Sequence, residues 1–446
     1  MPHPADNSPE YERPTGVRWL VFALACGTSW FLYVHRYTWN IVRPQLQEEY
    51  GFNNTELEAL GSLFYLGYTV FQVPSGIVSD LFGPHLFLAG IIILWAVVLP
   101  LWGLTGNLGA LGGLRFVFGS AQAGGYPALG NVTRTWFPLA VRTRVQGWIA
   151  SFFGRTGGAM SSILMSSLLM GWLGFGWRGA LVVLSVVGVL FGLAFLALFR
   201  NSPAAHPRVN AAERRLIQGS EAPLEGKKKI LSFREALKNP ALRMLVFQQF
   251  CNAGADVTYT NLTGSYFASK GIDLTTLGIL VSLPLFGGAL GGVVGGYLND
   301  WLIQATGSRR WGRAWIGFTG KFAATGVLYM AITLPTPLTI AWGLFVVKFF
   351  ADWTQPTVWG TCTDIGGRHS ATVFSINNTP GHIGAMILPV LVVGPLLNDF
   401  TPNEMVAGEL VSATTNFTPV FVLMGVLYLL SAVSWFKIDC TRSVEQ

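Results

Sequence analysis

Charge is scarce in this sequence. Only 11% of its 446 residues are Asp, Glu, Lys or Arg, against roughly 25% in an average soluble domain, and so few charges cannot cover a water-facing surface. Cysteine is sparser still: Cys26, Cys251, Cys362 and Cys440 lie far apart with no ligand-type spacing, so neither a disulfide nor a metal site is expected. Residues 1–16 (MPHPADNSPEYERPTG) hold no short apolar core with a small-residue cleavage site, so no cleavable signal peptide is expected. Nucleophile–base pairings, metal-ligand spacings and phosphate-cradling loops are absent as well, which leaves an enzyme without support.

What the chain has instead is apolar length. The apolar residues, 51% of the total, come in blocks of about 20, the helical span of a bilayer core. The net charge of +7 could point to nucleic acid, but its placement reports topology. Lys and Arg concentrate in alternate loops (Arg13 and Arg18; Arg134, Arg142 and Arg144; Lys227, Lys228 and Lys229; Arg309, Arg310 and Arg313; Arg368; Lys437 and Arg442), whereas the intervening loops hold mainly acids such as Glu48, Glu49, Glu56, Glu58, Asp399, Glu404 and Glu409. By the positive-inside rule both termini and the central loop face the cytoplasm.

The spans fall at 18–44, 57–81, 86–105, 108–131, 146–171 and 177–199, then at 243–268, 276–302, 314–334, 338–361, 371–396 and 417–437. The expected organisation is a cytoplasmic tail (1–17), a six-helix bundle (18–199), a charged cytoplasmic linker whose composition favours disorder (200–242), a second six-helix bundle (243–437) and a cytoplasmic tail (438–446). The halves look like copies, because Gly76-Ile-Val-Ser-Asp80 closes the second span and Gly296-Tyr-Leu-Asn-Asp300 the eighth. The fold class is therefore an all-α polytopic membrane protein of twelve transmembrane helices in two pseudo-symmetric bundles, an architecture that rocks about a midplane site. Asp80, with Gly76 and Gly83, and Asp300 are candidates for a conformational latch, since an aspartate there can face a helix N-terminus or a loop arginine.

Ionisable side chains inside membrane helices cost roughly 2.5–3.5 kcal/mol each on insertion scales, which makes them functional candidates by default. The first half holds His35, Arg36, Arg115 and Arg155, and the second Asp256, Lys321, Lys348, Asp352 and His382. The first bundle offers its arginines no buried acid, so an anionic solute is the natural partner, and the arginine fork suits a carboxylate or phosphate. Arg36, Arg115 and Arg155 are substrate candidates. Lys348 and Asp352, four apart on one helical face, most simply neutralise each other, and Lys321 and His382 read as packing residues.

Several patterns resemble the anion:cation symporters of the major facilitator superfamily, which include sugar-acid, sialic-acid and vesicular glutamate transporters. They are Tyr33-Val-His-Arg36, Arg115-Phe-Val-Phe-Gly119 with Pro127, Trp136-Phe-Pro138, Ser282-Leu-Pro284 with the glycines up to Asp300, Asp364-Ile-Gly-Gly367 and Asn377-Asn378-Thr-Pro-Gly381. The resemblance implies the major facilitator fold, Arg36 and Arg115 as anion-binding arginines, Tyr33 as a neighbouring ligand and Asn378 as a contact from the second half. It also implies a proton-coupling pair of carboxylates, but here those two places hold His35 and Gln122. Neutral Gln122 cannot titrate, whereas His35 can. Asp256, near the expected midplane of the seventh helix, is the other coupling candidate, able to pair with an arginine and release it on protonation.

The expected function is secondary active transport of a small organic anion, a sugar acid or other carboxylate, by alternating access. H+ or Na+ is the coupling ion, and no other cofactor is expected. Two alternatives stand beside it: an organophosphate:phosphate antiporter, which would want an arginine where Asp256 lies, and a transporter-like solute sensor. The expected partners are the solute and the lipid bilayer and not nucleic acid, with the protein monomeric in a bacterial inner membrane.

Overall fold

A computed structural model describes residues 13–218, 230–268, 274–393, 395–396, 403–406, 409–412 and 416–444. Lys227, Lys228, Lys229 and Asp399 lie outside these residues. Twelve long helical units account for most of the described chain. The first helix is Val17–Tyr50, the second Asn54–Phe82 and the third Pro84–Leu104. The fourth runs Leu108–Ala123 and continues as Gly125–Trp136, the fifth begins at Leu139–Gln146 and ends in Ile163–Trp172, and the sixth is Trp177–Leu198. The seventh is Pro240–Ala268, the eighth Leu274–Thr306 and the ninth Arg309–Ala331. The tenth runs Pro337–Trp353 and Gln355–Gly366, the eleventh is Ser370–Leu388 and the twelfth Thr418–Lys437. A short hairpin, Asn403–Val406 with Glu409–Ser412, precedes the twelfth.

Local chemistry sets the ends. Asn53 caps the second helix by accepting from the Glu56 amide at 3.0 Å while the Glu56 carboxylate accepts from the Asn53 amide at 2.9 Å, a reciprocal capping box. Pro84 and Pro337 open the third and tenth helices, where the missing N–H costs nothing. Several helices outrun their apolar spans: the fourth reaches Trp136 and the fifth starts at Leu139, because polar turns that leave the apolar slab keep their helical hydrogen bonds. By length and composition alone four units (Val17–Tyr50, Pro84–Leu104, Trp177–Leu198 and Thr418–Lys437) suffice to cross a membrane. The sixth helix turns Val182, Val186, Leu190 and Leu193 outward, about half exposed, and an apolar face of that kind needs lipid as its solvent.

Packing repeats with the sequence. The second helix lies against the fourth, the third against the sixth and the first against the fifth; likewise the eighth against the tenth, the ninth against the twelfth and the seventh against the eleventh. Between the halves the fifth meets the eighth and the eleventh meets the second, again related by the shift of half a chain. The described part of the charged segment between the halves departs from the expected disorder. Within it Ala211–Gln218 is helical, and buried Glu213 accepts from the Gly16 amide at 2.6 Å and from Arg18 Nη1 at 3.1 Å. A buried carboxylate satisfied in this way pins the segment to the start of the first helix.

Candidate functional site

A cavity of about 260 Å3 lies between the two bundles. On the first-bundle side Gln122 Nε2 donates to Leu32 O at 3.0 Å, which turns Gln122 Oε1 toward Arg36, whose Nε donates to it at 3.0 Å. The Arg36 guanidinium also lies over the rings of Tyr33 (5.1 Å), Phe64 (5.2 Å) and Tyr68 (4.9 Å). Its Nη2 is buried without a hydrogen-bond partner, and among the described residues no carboxylate lies within ion-pair distance of it. Aromatic faces hold the cation by their quadrupoles but do not discharge it.

Charges from both bundles meet in the rest of the wall. Arg155 sits on a short α-helical stretch, Gly154–Ser162, between two wider π-helical stretches, Gly147–Phe153 and Ile163–Trp172, a distortion common at functional sites. It forms an ion pair with Asp352 of the tenth helix, so the acid that the first bundle lacks comes from the second. The expected Lys348–Asp352 pair is present, and Arg155, read as a substrate candidate, joins it from across the interface. Lys348 Nζ bridges Asp352 at 3.1 Å and Asp256 at 3.0 Å, and the Tyr428 hydroxyl donates to Asp256 at 2.9 Å. Asp256 thus pairs directly with a lysine, and Arg155 also acts on it electrostatically. Lys321, fully buried, donates to Asn252 Oδ1 and to Ala351 O.

Of the residues singled out in the sequence, Tyr33, Arg36, Arg155, Asp256 and Asn378 all line this cavity. Arg115 does not. It is 3% exposed, packed over Trp39 (4.1 Å), Phe64 and Trp102 (both 5.0 Å), and its Nε donates to Leu60 O at 3.3 Å. His35 is also turned away, with its Nε2 3.2 Å from Leu184 O of the sixth helix. His382, read as packing, faces the cavity, 3.1 Å from Asn378 Nδ2 and edge-on to Tyr68. In the cavity lining Tyr126 meets Trp359, and Trp359 meets Phe374, in edge-to-face contacts of 5.0 and 4.8 Å. A second chamber of about 370 Å3 shares Tyr33 and Arg155 and runs between the first, fifth and eighth helices.

The aspartates at the ends of the second and eighth helices face the other bundle. Asp80 accepts from the Ala371 amide at 3.1 Å and from the Thr372 amide and hydroxyl at 2.7 and 2.6 Å, at the start of the eleventh helix, where free amides and the helix dipole favour an anion. Asp300 accepts from the amide and Nε of Arg144 at 3.0 and 3.3 Å. A Cβ on Gly76 would collide with Ala371 O and Ser375, so the second and eleventh helices can approach this closely only at glycine. Gly83 lies apart from this interface, in the turn before the third helix, at φ 81°, a conformation that glycine alone adopts freely.

The sequence reading passed over Gln249 and Asn252, which line the cavity with Asp256. Their spacing along the seventh helix, with separations of three, four and seven, puts the three polar groups on one face, and that stripe in an apolar helix was the available signal. Gln355, Tyr126 and Trp359 carry no comparable signal.

Residues 20–389 match the Major Facilitator Superfamily. The chain is 27% identical over 434 residues to a probable sulfoacetate transporter, SauU, of Cupriavidus necator, covering 96% of this chain and 95% of that protein. It is 26% identical to a probable galactarate/D-glucarate transporter, GudP, of Bacillus subtilis, covering 95% and 92%. In fold it is similar to the transporter FucP in an outward conformation, with a TM-score of 0.64 at 16% identity over 95% of this chain and 97% of that one. Twelve helices packed in two repeated halves around a buried polar cavity, with the match spanning most of the chain, establish that this multi-pass membrane protein belongs to the Major Facilitator Superfamily, a family of transporters and not enzymes.

Proposed function

We propose that this protein is a secondary active transporter that moves a small organic anion, a sugar acid or another carboxylate, across a bacterial inner membrane by alternating access. The observation that carries this reading is Arg36: a guanidinium lining the central cavity, with one nitrogen buried and unpartnered and, among the described residues, no carboxylate within ion-pair distance. A cation kept in such a place awaits an anion, and the fork geometry suits a carboxylate. The substrates named for the relatives, sulfoacetate and galactarate or glucarate, are acids of this kind.

The basic loops put both termini in the cytoplasm. On this reading the ends that carry Asp80 and Asp300 lie at the cytoplasmic face, and their cross-bundle contacts support a form closed on that side; the protein acts as a monomer. Asp256 serves as the coupling group, since it faces the cavity and its charge is held by Lys348. The test is uptake of D-glucarate and sulfoacetate by purified protein in liposomes. Arg36→Lys, with folding verified by size exclusion, is expected to remove most uptake, because a point charge cannot replace the fork. Near-normal uptake by this variant would remove Arg36 from the substrate site.

A further inference from the structure

We infer that the cavity selects dianions, with one anionic group of the substrate held by Arg36 on the first bundle and the other by Asn252, backed by Lys321, on the second. The inference rests on the organic-anion reading above and narrows it. Its basis is the charge in and directly behind the cavity wall. Among the described residues Arg36, Arg155, Lys321 and Lys348 are set against Asp256 and Asp352, four cations against two carboxylates, an excess of two.

The location of the excess matters more than its size. Arg155 and Lys348 are discharged by ion pairs with Asp352 and Asp256. The remaining cations are Arg36 and Lys321, one in each bundle. The acceptors of Lys321 are an amide oxygen and a backbone carbonyl, and among the described residues no carboxylate lies within ion-pair distance of it. Asp256 and Asp352 reach it only at longer range, and the Tyr428 ring lies 4.9 Å away, so the buried ammonium is incompletely compensated, which is costly.

Asn252 relays that charge. An ammonium only donates, so Lys321 occupies Asn252 Oδ1 and thereby fixes the amide. The group Asn252 then offers to the cavity it lines is its NH2, a donor polarised by the lysine behind it. A monoanion at Arg36 leaves the second pole uncompensated, whereas a dianion spanning the cavity answers both and touches both bundles at once. Lys321 acts here as a positioning residue, with Asn252 making the contact.

The experiment is ligand binding to the purified full chain in nanodiscs, with probes matched in carbon skeleton. D-Glucarate and D-gluconate differ by one carboxylate, sulfoacetate and methylsulfonylacetate differ by one charge, and neutral sorbitol is the control. The wild type is expected to bind each dianion at least about 10-fold more tightly than its monoanion, the size of one charge-assisted hydrogen bond. Lys321→Met should collapse that ratio toward one. Asn252→Asp, which gives Lys321 an ion-pair partner and so protects the fold, should invert it in favour of the monoanion. A structural role alone would lower all affinities together and leave the ratio in place. Equal binding of dianion and monoanion by the wild type, or a ratio unmoved in both variants, overturns the inference and leaves the anion reading standing. Binding of neither anion above sorbitol overturns both.

Discussion

The ion pair between Arg155 and Asp352 joins the two bundles at the cavity wall, and its removal tests how they are held together. At 3.1 Å and an effective dielectric constant of about 20, the neighbouring Lys348–Asp352 attraction alone is about 5 kcal/mol before desolvation is subtracted. Asp352 is 3% exposed and answers two cations, Arg155 and Lys348. Asp352→Asn keeps the shape and leaves both cations with less compensation. Unpairing a buried ion costs about 3–5 kcal/mol, and Lys348 keeps Asp256, so the low end applies. Arg155→Met should cost less, because Asp352 remains paired with Lys348.

Thermal unfolding in detergent is the assay. For Asp352→Asn a loss of about 3 kcal/mol translates into about 6–12 °C, taking each bundle as a domain of 150–250 residues. Arg155→Met is expected to lose about half as much. The double variant should fall short of the sum by about 1–2 kcal/mol, since the two side chains share one interaction. If the two losses add, or if Arg155→Met is the more damaging, the pair is not coupled as the geometry implies.

Three further outcomes follow from single side chains. Arg115→Lys should lower the melting temperature by several degrees through lost contacts with Trp39, Phe64 and Trp102, each worth about 0.5–2 kcal/mol, while the uptake KM of the surviving protein stays within about threefold; a large KM rise would return Arg115 to the substrate site. Asp80→Asn should weaken three charge-assisted hydrogen bonds by about 2 kcal/mol in total, shifting the balance between conformers about 30-fold, read as faster labelling, from the cytoplasmic side, of a cysteine placed at Ser151, which lines the cavity. Asp256→Asn should retain exchange between preloaded vesicles and lose accumulation driven by a pH gradient; wild-type accumulation by that variant would move the coupling role elsewhere.

The bundles were legible because lipid imposes a coarse rule: apolar blocks of helical length are visible in composition, and the copied Gly-x-x-x-Asp segments mark where each half repeats. The cavity residues were legible where one side chain conflicts with its surroundings. Arg36, Arg155 and Asp256 are ionisable groups in apolar helices, and all three line the cavity. The same rule also named Arg115 and His35, which the structure turns away from the cavity: one is sandwiched by Trp39, Phe64 and Trp102 and the other lies against Leu184 O, although Arg115 Nη1 and His35 Nδ1 are buried without a hydrogen-bond partner. The reverse error concerned Arg155: its acid, Asp352, lies almost two hundred residues away, and spacing within a helix carries no information about a partner across an interface. Glu213 shows the same limit, since an acid in a charged linker looks solvated until the start of the first helix closes over it.

Symmetry and charge separate the roles of these contacts, and that separation can be tested. The contacts of Asp80 and Asp300 are related by the half-chain shift and lie at the ends of their helices, far from the cavity, where rocking of one bundle against the other produces the largest displacement. The Arg155–Asp352 pair has no such counterpart among the described residues and lies beside the cavity, toward the pivot of such a rocking motion, where displacement is smallest. An end contact is therefore made in one conformer and broken in the other, while a pivot contact persists through both. A group that interacts equally with both states shifts no equilibrium, however strong the interaction. Asp352→Asn should accordingly lower the melting temperature without changing the rate at which a cysteine at Ser151 is labelled from the cytoplasmic side, and Asp80→Asn should change that rate with little effect on melting. If Asp352→Asn speeds labelling as much as Asp80→Asn does, the cross-bundle pair is part of the gate and the pivot lies elsewhere.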